Sequence, residues 1–201
     1  MQTQNASLAA LIGSRICHDL ISPLGAISNG LELMSMSGIA STEEFGLVAE
    51  SVASANARIR LFRIVFGAAS TGQSLKSAEI DQILQDVYAD SKLQVAPFPV
   101  GDFERVNIQA VLLALLCVEQ AIPFGGALSV EHSNGTWTIK GSADRIKIDE
   151  TLWGRIRGAS MSDMPSPASV QFAVLPDLAA SNGFEIHAQS THDDATITLK
   201  T

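Results

Sequence analysis

At 201 residues, with 46% hydrophobic and 17% charged side chains, this is a globular chain that can bury a real core and divide into two modest units, which excludes a disordered polypeptide. Thirteen Lys and Arg stand against twenty-one Asp and Glu, and a formal charge of −8 argues against a general nucleic-acid or anionic-membrane surface. Two cysteines, Cys17 and Cys117, lack CxxC or Cys/His ligand spacing, so neither a zinc site nor a disulfide is expected.

The N-terminus shows no basic region followed by an apolar run, and no stretch approaches the roughly 20 apolar residues of a membrane span. A cytoplasmic protein is expected. From Ser7 to Met36 the pattern is helical: Ala9, Ile16, Leu20, Leu24, Ile27, Leu31 and Met34 fall on one side. "SGIAST" breaks it at Gly38, and Ser41 with Glu44 three residues later gives a capping box for a second helix. Along that helix Phe45, Val48, Val52, Ala55, Ile59, Phe62 and Phe66 keep the three-four spacing of a bundle seam. Two long helices joined by a short loop predict an antiparallel hairpin. A lone hairpin cannot enclose both stripes, whereas a homodimeric four-helix bundle does.

The small, polar stretch 67–79 reads as a linker, which gives a helical unit over 1–70 and a second unit over 71–201. In the second unit, helical patterns near 78–90, 106–122 and 168–182 alternate with the strand-like runs "KLQVAPF", "ALSVEHS", "TWTIKGS", "FEIHAQS" and "ATITLKT". "SNG" at 133–135 predicts a hairpin turn between two of them. The expected class is α+β, with helices on one face of a mixed sheet. Trp137 and Trp153 are expected in its core, and "GG" at 125–126 reads as a turn.

His18 lies inside the first helical pattern and projects almost directly away from the apolar stripe. Its helical neighbours include Ser14, Arg15, Ile21, Ser22, Gly25 and Asn29, a mostly small and polar face that a bulky partner can approach. Such a histidine is also ordinary solvent-facing filler, but its surroundings suit chemistry. Asp19 can accept a hydrogen bond from one imidazole nitrogen and leave the other as a nucleophile. Pro23 removes the amide that would bond the Asp19 carbonyl, so a bend is expected one turn past His18. Reflecting position 18 through the loop brings it level with Arg58, Arg60 and Arg63, cations able to offset phosphoryl charge or simply to favour a helix C-terminus. His132, His187 and His192 lie in or beside strands without ligand spacing and are assigned no chemistry.

"HDLISPLGAI" resembles the H-box of dimeric sensor histidine kinases: a histidine, an acidic residue, two variable residues, a Thr, Ser or Asn, then Pro and an apolar run. With "NGLELM" and the short second half, the whole chain resembles the ChpT-type histidine phosphotransferases of alphaproteobacteria. The resemblance implies that His18 is the phosphoacceptor, Asp19 its acidic partner and Ser22 the polar residue one turn on. It also implies a C-terminal α/β-sandwich domain derived from a histidine-kinase ATPase domain. Kinases of that kind carry paired magnesium-binding asparagines on one helix, and here those positions are Leu113 and Cys117. The Asp that reads adenine is replaced by Gly141, a later loop glycine by Arg145, and the glycine-rich phosphate lid is missing. Hard cations need oxygen ligands and close phosphate approach needs glycine backbones, so ATP binding is expected to be lost.

The expected activity is therefore phosphoryl transfer between receiver-domain aspartates through His18, without a kinase step. Arg15, Gly25, Asn29, Arg60 and Arg63 are the expected receiver contacts. No cofactor is expected, magnesium being supplied by the partner receiver domain. The resemblance implies a hybrid sensor histidine kinase upstream and response regulators downstream. A binding module that sequesters a response regulator without chemistry is the alternative, and a divergent ATP-dependent kinase a third.

Overall fold

The computed structural model describes residues 2–36, 43–69, 72–159 and 163–201, and in the first helix the side chains of residues 13 and 15–36. Gly38 and Ser41, where the loop break and capping box are expected, and the side chains of Ala9 and Ser14, lie outside the described residues. The chain divides into two compact units, Met1–Thr71 with Gln82–Ala89, and Gly72–Asp81 with Asp90–Thr201.

The first unit is built on α1 (Gln2–Met36) and α2 (Glu43–Val65), which lie against each other. Residue numbers that rise along α1 fall along α2: a Cβ on Gly13 would stand 2.9 Å from the Phe66 carbonyl oxygen, and Asn56 Nδ2 donates to Ser28 Oγ at 3.4 Å. The hairpin is antiparallel. Pro23 sits inside α1, which continues past it as one helix. Glu43 and Glu44 in the first turn of α2 and Arg63 in its last complement the helix dipole.

The packed faces differ from the expected stripes. On α1 the side turned to α2 carries Gly13, Cys17 and Ser28 together with half-buried Leu24 and Leu31 of the expected stripe, while the stripe's Ile16, Leu20, Ile27 and Met34 are 54%, 44%, 48% and 42% exposed. On α2 the buried residues are Ala57, Leu61, Ile64 and Val65, about half a turn from the expected seam, of which Val48 is 50% exposed. Both sides of α2 are apolar, so spacing alone cannot say which side its own chain covers.

The second half of α3 (Ser77–Tyr88) also belongs to the first unit. Asp86 forms an ion pair with Arg60 and accepts from Gln82 Nε2 at 2.8 Å. Contrary to the linker reading of 67–79, Ser74–Lys76 forms β1, which pairs antiparallel with β3 (Asp102–Glu104).

The second unit's main sheet runs β2 (Leu93–Val95), β4 (Gly126–Ser133), β5 (Thr136–Ser142), β7 (Asp194–Lys200) and β6 (Glu185–Ser190) in that spatial order. Only the β2–β4 pairing is parallel. Asn134 and Gly135 at φ 51° and 74° make the tight turn from β4 to β5, a conformation Asn and Gly tolerate best. Alternation puts Leu128, Val130, Trp137, Ile139, Ala195, Ile197 and Leu199 on one buried face. Registered rows such as Val130–Ile139–Ile197 run across it.

That face packs on α4 (Arg105–Ala121), whose residues are buried from Ile108 to Leu115, and α4 packs on α6 (Gln171–Asn182). The outcome is a mixed helix-and-sheet domain with helices over one sheet face. The sequence pattern missed α5 (Glu150–Ile156), a seven-residue helix started by Asp149, whose Oδ1 accepts from the Thr151 and Leu152 amides at 3.0 and 3.1 Å. Trp153 on it and Trp137 on β5 are both buried. Among the described residues no helix is long and apolar enough to cross a membrane.

Candidate functional site

Adjacent residues on a helix diverge by about 100°, and α1 uses that divergence at positions 17 and 18. Cys17 is buried in the first unit, and the His18 side chain is 81% exposed. Burial raises the Cys17 thiol, with the Arg63 cation acting weakly in the other direction. The antiparallel register, with Gly13 against Phe66 and Ser28 against Asn56, puts Arg63 near the level of the histidine.

His18 Nδ1 lies 3.1 Å from Asp19 Oδ1, and Arg15 Nε donates to Asp19 Oδ2 at 2.7 Å. An ionised carboxylate only accepts, so the proton of the neutral imidazole sits on Nδ1 and the Nε2 lone pair faces solvent. The hydrogen bond with His18 is the main influence holding the Asp19 carboxyl below the usual carboxylate range; the bond and charge of Arg15 act in the same direction. The carboxylate therefore stays ionised at any physiological pH. The arrangement yields an oriented nitrogen nucleophile with a fixed anion behind it, suited to taking up an electrophilic phosphoryl group.

Ser22 and Asn29 continue the His18 face one and three turns on, and both are exposed. Gly25, two turns on, has open space where its Cβ would be, so the helix presents bare backbone there. Arg60 does not join this group: its guanidinium is held by Asp86, a partner 26 residues away that spacing could not reveal. The spacing of Arg15 and Asp19 is that of an i,i+4 pair, and the structure joins the expected receiver contact Arg15 to the expected acidic partner Asp19. His192 and Asp193 repeat the His–Asp adjacency in the β6–β7 turn, where the Asp193 hydrogen bond raises His192.

In the second unit, Leu113 and Cys117 have no exposed surface. A Cβ on Gly141 would stand 2.6 Å from Val118 Cγ1 and 3.3 Å from Ile122 Cδ1, leaving no room for a carboxylate. Gly126 comes as close to the Ser142 carbonyl oxygen, 2.3 Å from its would-be Cβ, which explains that glycine structurally. An open cleft of about 760 Å³ nearby carries both signs of charge, among them Lys92, Asp144 and Arg145, with the Arg145 guanidinium 5.6 Å from the Phe124 ring centre. Among the described residues no group of three or more His, Cys, Asp or Glu is placed to hold a metal ion.

Comparison with known proteins identifies the family. The family profile described as "Histidine phosphotransferase C-terminal domain" matches residues 77–194. The chain is 32% identical over 199 residues to protein phosphotransferase ChpT of Brucella abortus (strain 2308), covering 93% of this chain and 92% of that protein. It is similar to a bacterial phosphotransferase of known structure, with a TM-score of 0.64, 28% identity and 92% of each chain covered. More remote is the Acinetobacter baumannii histidine kinase AdeS, with a TM-score of 0.40 and 16% identity over 90% of this chain and 95% of that one.

Proposed function

Since the chain belongs to the histidine phosphotransferase family, we propose that it serves a multistep phosphorelay by moving a phosphoryl group between receiver-domain aspartates through His18. The observation that carries this is the exposed His18 ring with Nδ1 held by Asp19. In the forward step Nε2 attacks phosphorus, the bond to the receiver's aspartyl oxygen breaks, and that aspartate leaves as a carboxylate. Nδ1 keeps its proton, and the positive charge gained by the ring lies against Asp19. The second transfer is the same reaction in reverse onto another receiver. The receiver's magnesium offsets the charge on the phosphoryl oxygens, and this chain supplies nucleophile and docking face.

ATP takes no part in this reading. Leu113 and Cys117 are buried and offer magnesium no oxygen, and Val118 and Ile122 fill the space beside Gly141. The second unit then acts as support. The functional form is a homodimer, a reading supported by Ile16, Leu20, Ile27, Leu47 and Val48, all 44% or more exposed on a hairpin whose other face is buried.

The test is incubation with a phosphorylated receiver domain. Acid-labile, base-stable phosphate should appear on the wild-type chain and not on His18→Gln. Stable binding of the receiver without any such phosphate would make the chain a sequestering module instead, and labelling from ATP alone would make it a kinase.

A further inference from the structure

We infer that Arg15 is a positioning residue for the phosphoacceptor, acting through Asp19, and not a docking residue for the receiver; the inference rests on the reading of His18 given above. A carboxylate at the position after a histidine does not face the ring by default, because consecutive helical side chains point about 100° apart. Arg15 stands three residues before His18 and four before Asp19, so on the helix surface it lies one turn back and between the two directions. From there Nε takes Oδ2 of Asp19 at 2.7 Å and leaves Oδ1 turned to His18 Nδ1 at 3.1 Å. One carboxylate thus bridges guanidinium and imidazole, each holding one oxygen.

Helix stability does not account for this pair. An arginine placed before its acidic partner is the less favourable order for an i,i+4 pair, and side-chain exposures of 75% and 49% leave it screened by water. Its effect is on the conformation of Asp19. Without the guanidinium, the carboxylate is free to turn to solvent or cap other donors, and the imidazole proton loses the acceptor that keeps it on Nδ1. The nucleophilic nitrogen would then be protonated for part of the time. When a receiver covers the site and excludes water, the ion pair strengthens, so the fixed tautomer is favoured most at the moment of transfer.

The experiment compares wild type, Arg15→Gln and Arg15→Lys. Nitrogen NMR of the imidazole in the unliganded protein should show the Nδ1–H tautomer dominating in wild type, a shift toward Nε2–H in Arg15→Gln, and partial recovery in Arg15→Lys, which keeps a cation at the same spacing. The phosphorylation rate at saturating phosphorylated receiver should fall roughly two- to fivefold in Arg15→Gln, the scale of an exposed ion pair. Affinity for the unphosphorylated receiver should stay the same. An unchanged tautomer ratio in Arg15→Gln, or lost receiver affinity with an unchanged saturating rate, overturns the inference and returns Arg15 to a docking role. The tautomer measurement needs no receiver, so it stands apart from the phosphorelay reading, which fails instead if wild-type His18 takes up no phosphate.

Discussion

Gly141 on β5 is pressed against Val118 on α4, with 2.6 Å between the Val118 methyl and the place a Cβ would take. The pair fills, by core packing, the space that a larger side chain at position 141 would need. Gly141→Asp should therefore restore no nucleotide binding. It should destabilise the second unit by about 3 kcal/mol or more, since overpacking and a buried carboxylate both add cost. Thermal unfolding measures the loss; calorimetry with ATP and magnesium should stay flat for both proteins. Low-micromolar ATP binding by either would show that the packed region opens.

The Arg60–Asp86 pair links α2 to the second half of α3, with side chains 39% and 33% exposed. Exposure at this level screens the charges, so Arg60→Ala and Asp86→Ala should each cost only about 0.5 kcal/mol, with a double variant little worse than either single one. Phosphoryl uptake by His18 should be unaffected. A severe transfer defect in Arg60→Ala without one in Asp86→Ala would restore Arg60 to the receiver surface.

Asp19 sets a pH signature. Its folded pKa is depressed, chiefly by the His18 hydrogen bond, so the contact is present above the ordinary carboxylate value and is lost as pH falls through the depressed one. A carbon-detected titration should find Asp19 ionised well into acid in wild type. In His18→Ala its midpoint should move up toward the usual range, although the Arg15 bond survives. An unmoved midpoint would mean that the two side chains do not touch in solution.

The sequence revealed much of this architecture because its signals are local. Long helical periods gave the hairpin, alternation gave the central strands, and Asn134-Gly135 marked a turn only a few residue types accept. What escaped was short or long-range. Three-residue β1 and β3 carry too few positions to alternate, and α5 spans under two full turns, with Asp149 as its one signal. The buried side of α2 escaped for a different reason, since Ala57, Leu61 and Ile64 form one apolar face and Ile59, Phe62 and Phe66 another. Within the site, His18 and Asp19 were legible as neighbours, but the engagement of Arg60 by Asp86 depends on tertiary structure.

The uncovered face of α1 leads to a prediction about assembly. Ile27 is 48% exposed and lies about two and a half turns from His18, on the opposite side of the helix. Ile27→Glu should convert a dimer into a monomer by light scattering at tens of micromolar while leaving the second unit's unfolding transition in place. A wild-type monomer at that concentration would remove the four-helix bundle.

Gly25 provides the sharpest separation of stability from recognition. It sits within α1 two turns beyond His18, and nothing lies within 4 Å of where its Cβ would be. Glycine is a poor helix residue, so Gly25→Leu should stabilise α1, by roughly 0.5–0.8 kcal/mol on intrinsic propensity. The same side chain would project into the space through which a receiver reaches His18, along the face shared with Ser22 and Asn29. Thermal melting should therefore rise slightly while receiver affinity and the rate of phosphoryl uptake both fall. Most destabilising variants lose activity together with fold, and this one should lose activity while gaining stability. If Gly25→Leu melts earlier, or accepts phosphoryl groups at the wild-type rate, the receiver does not approach along this face.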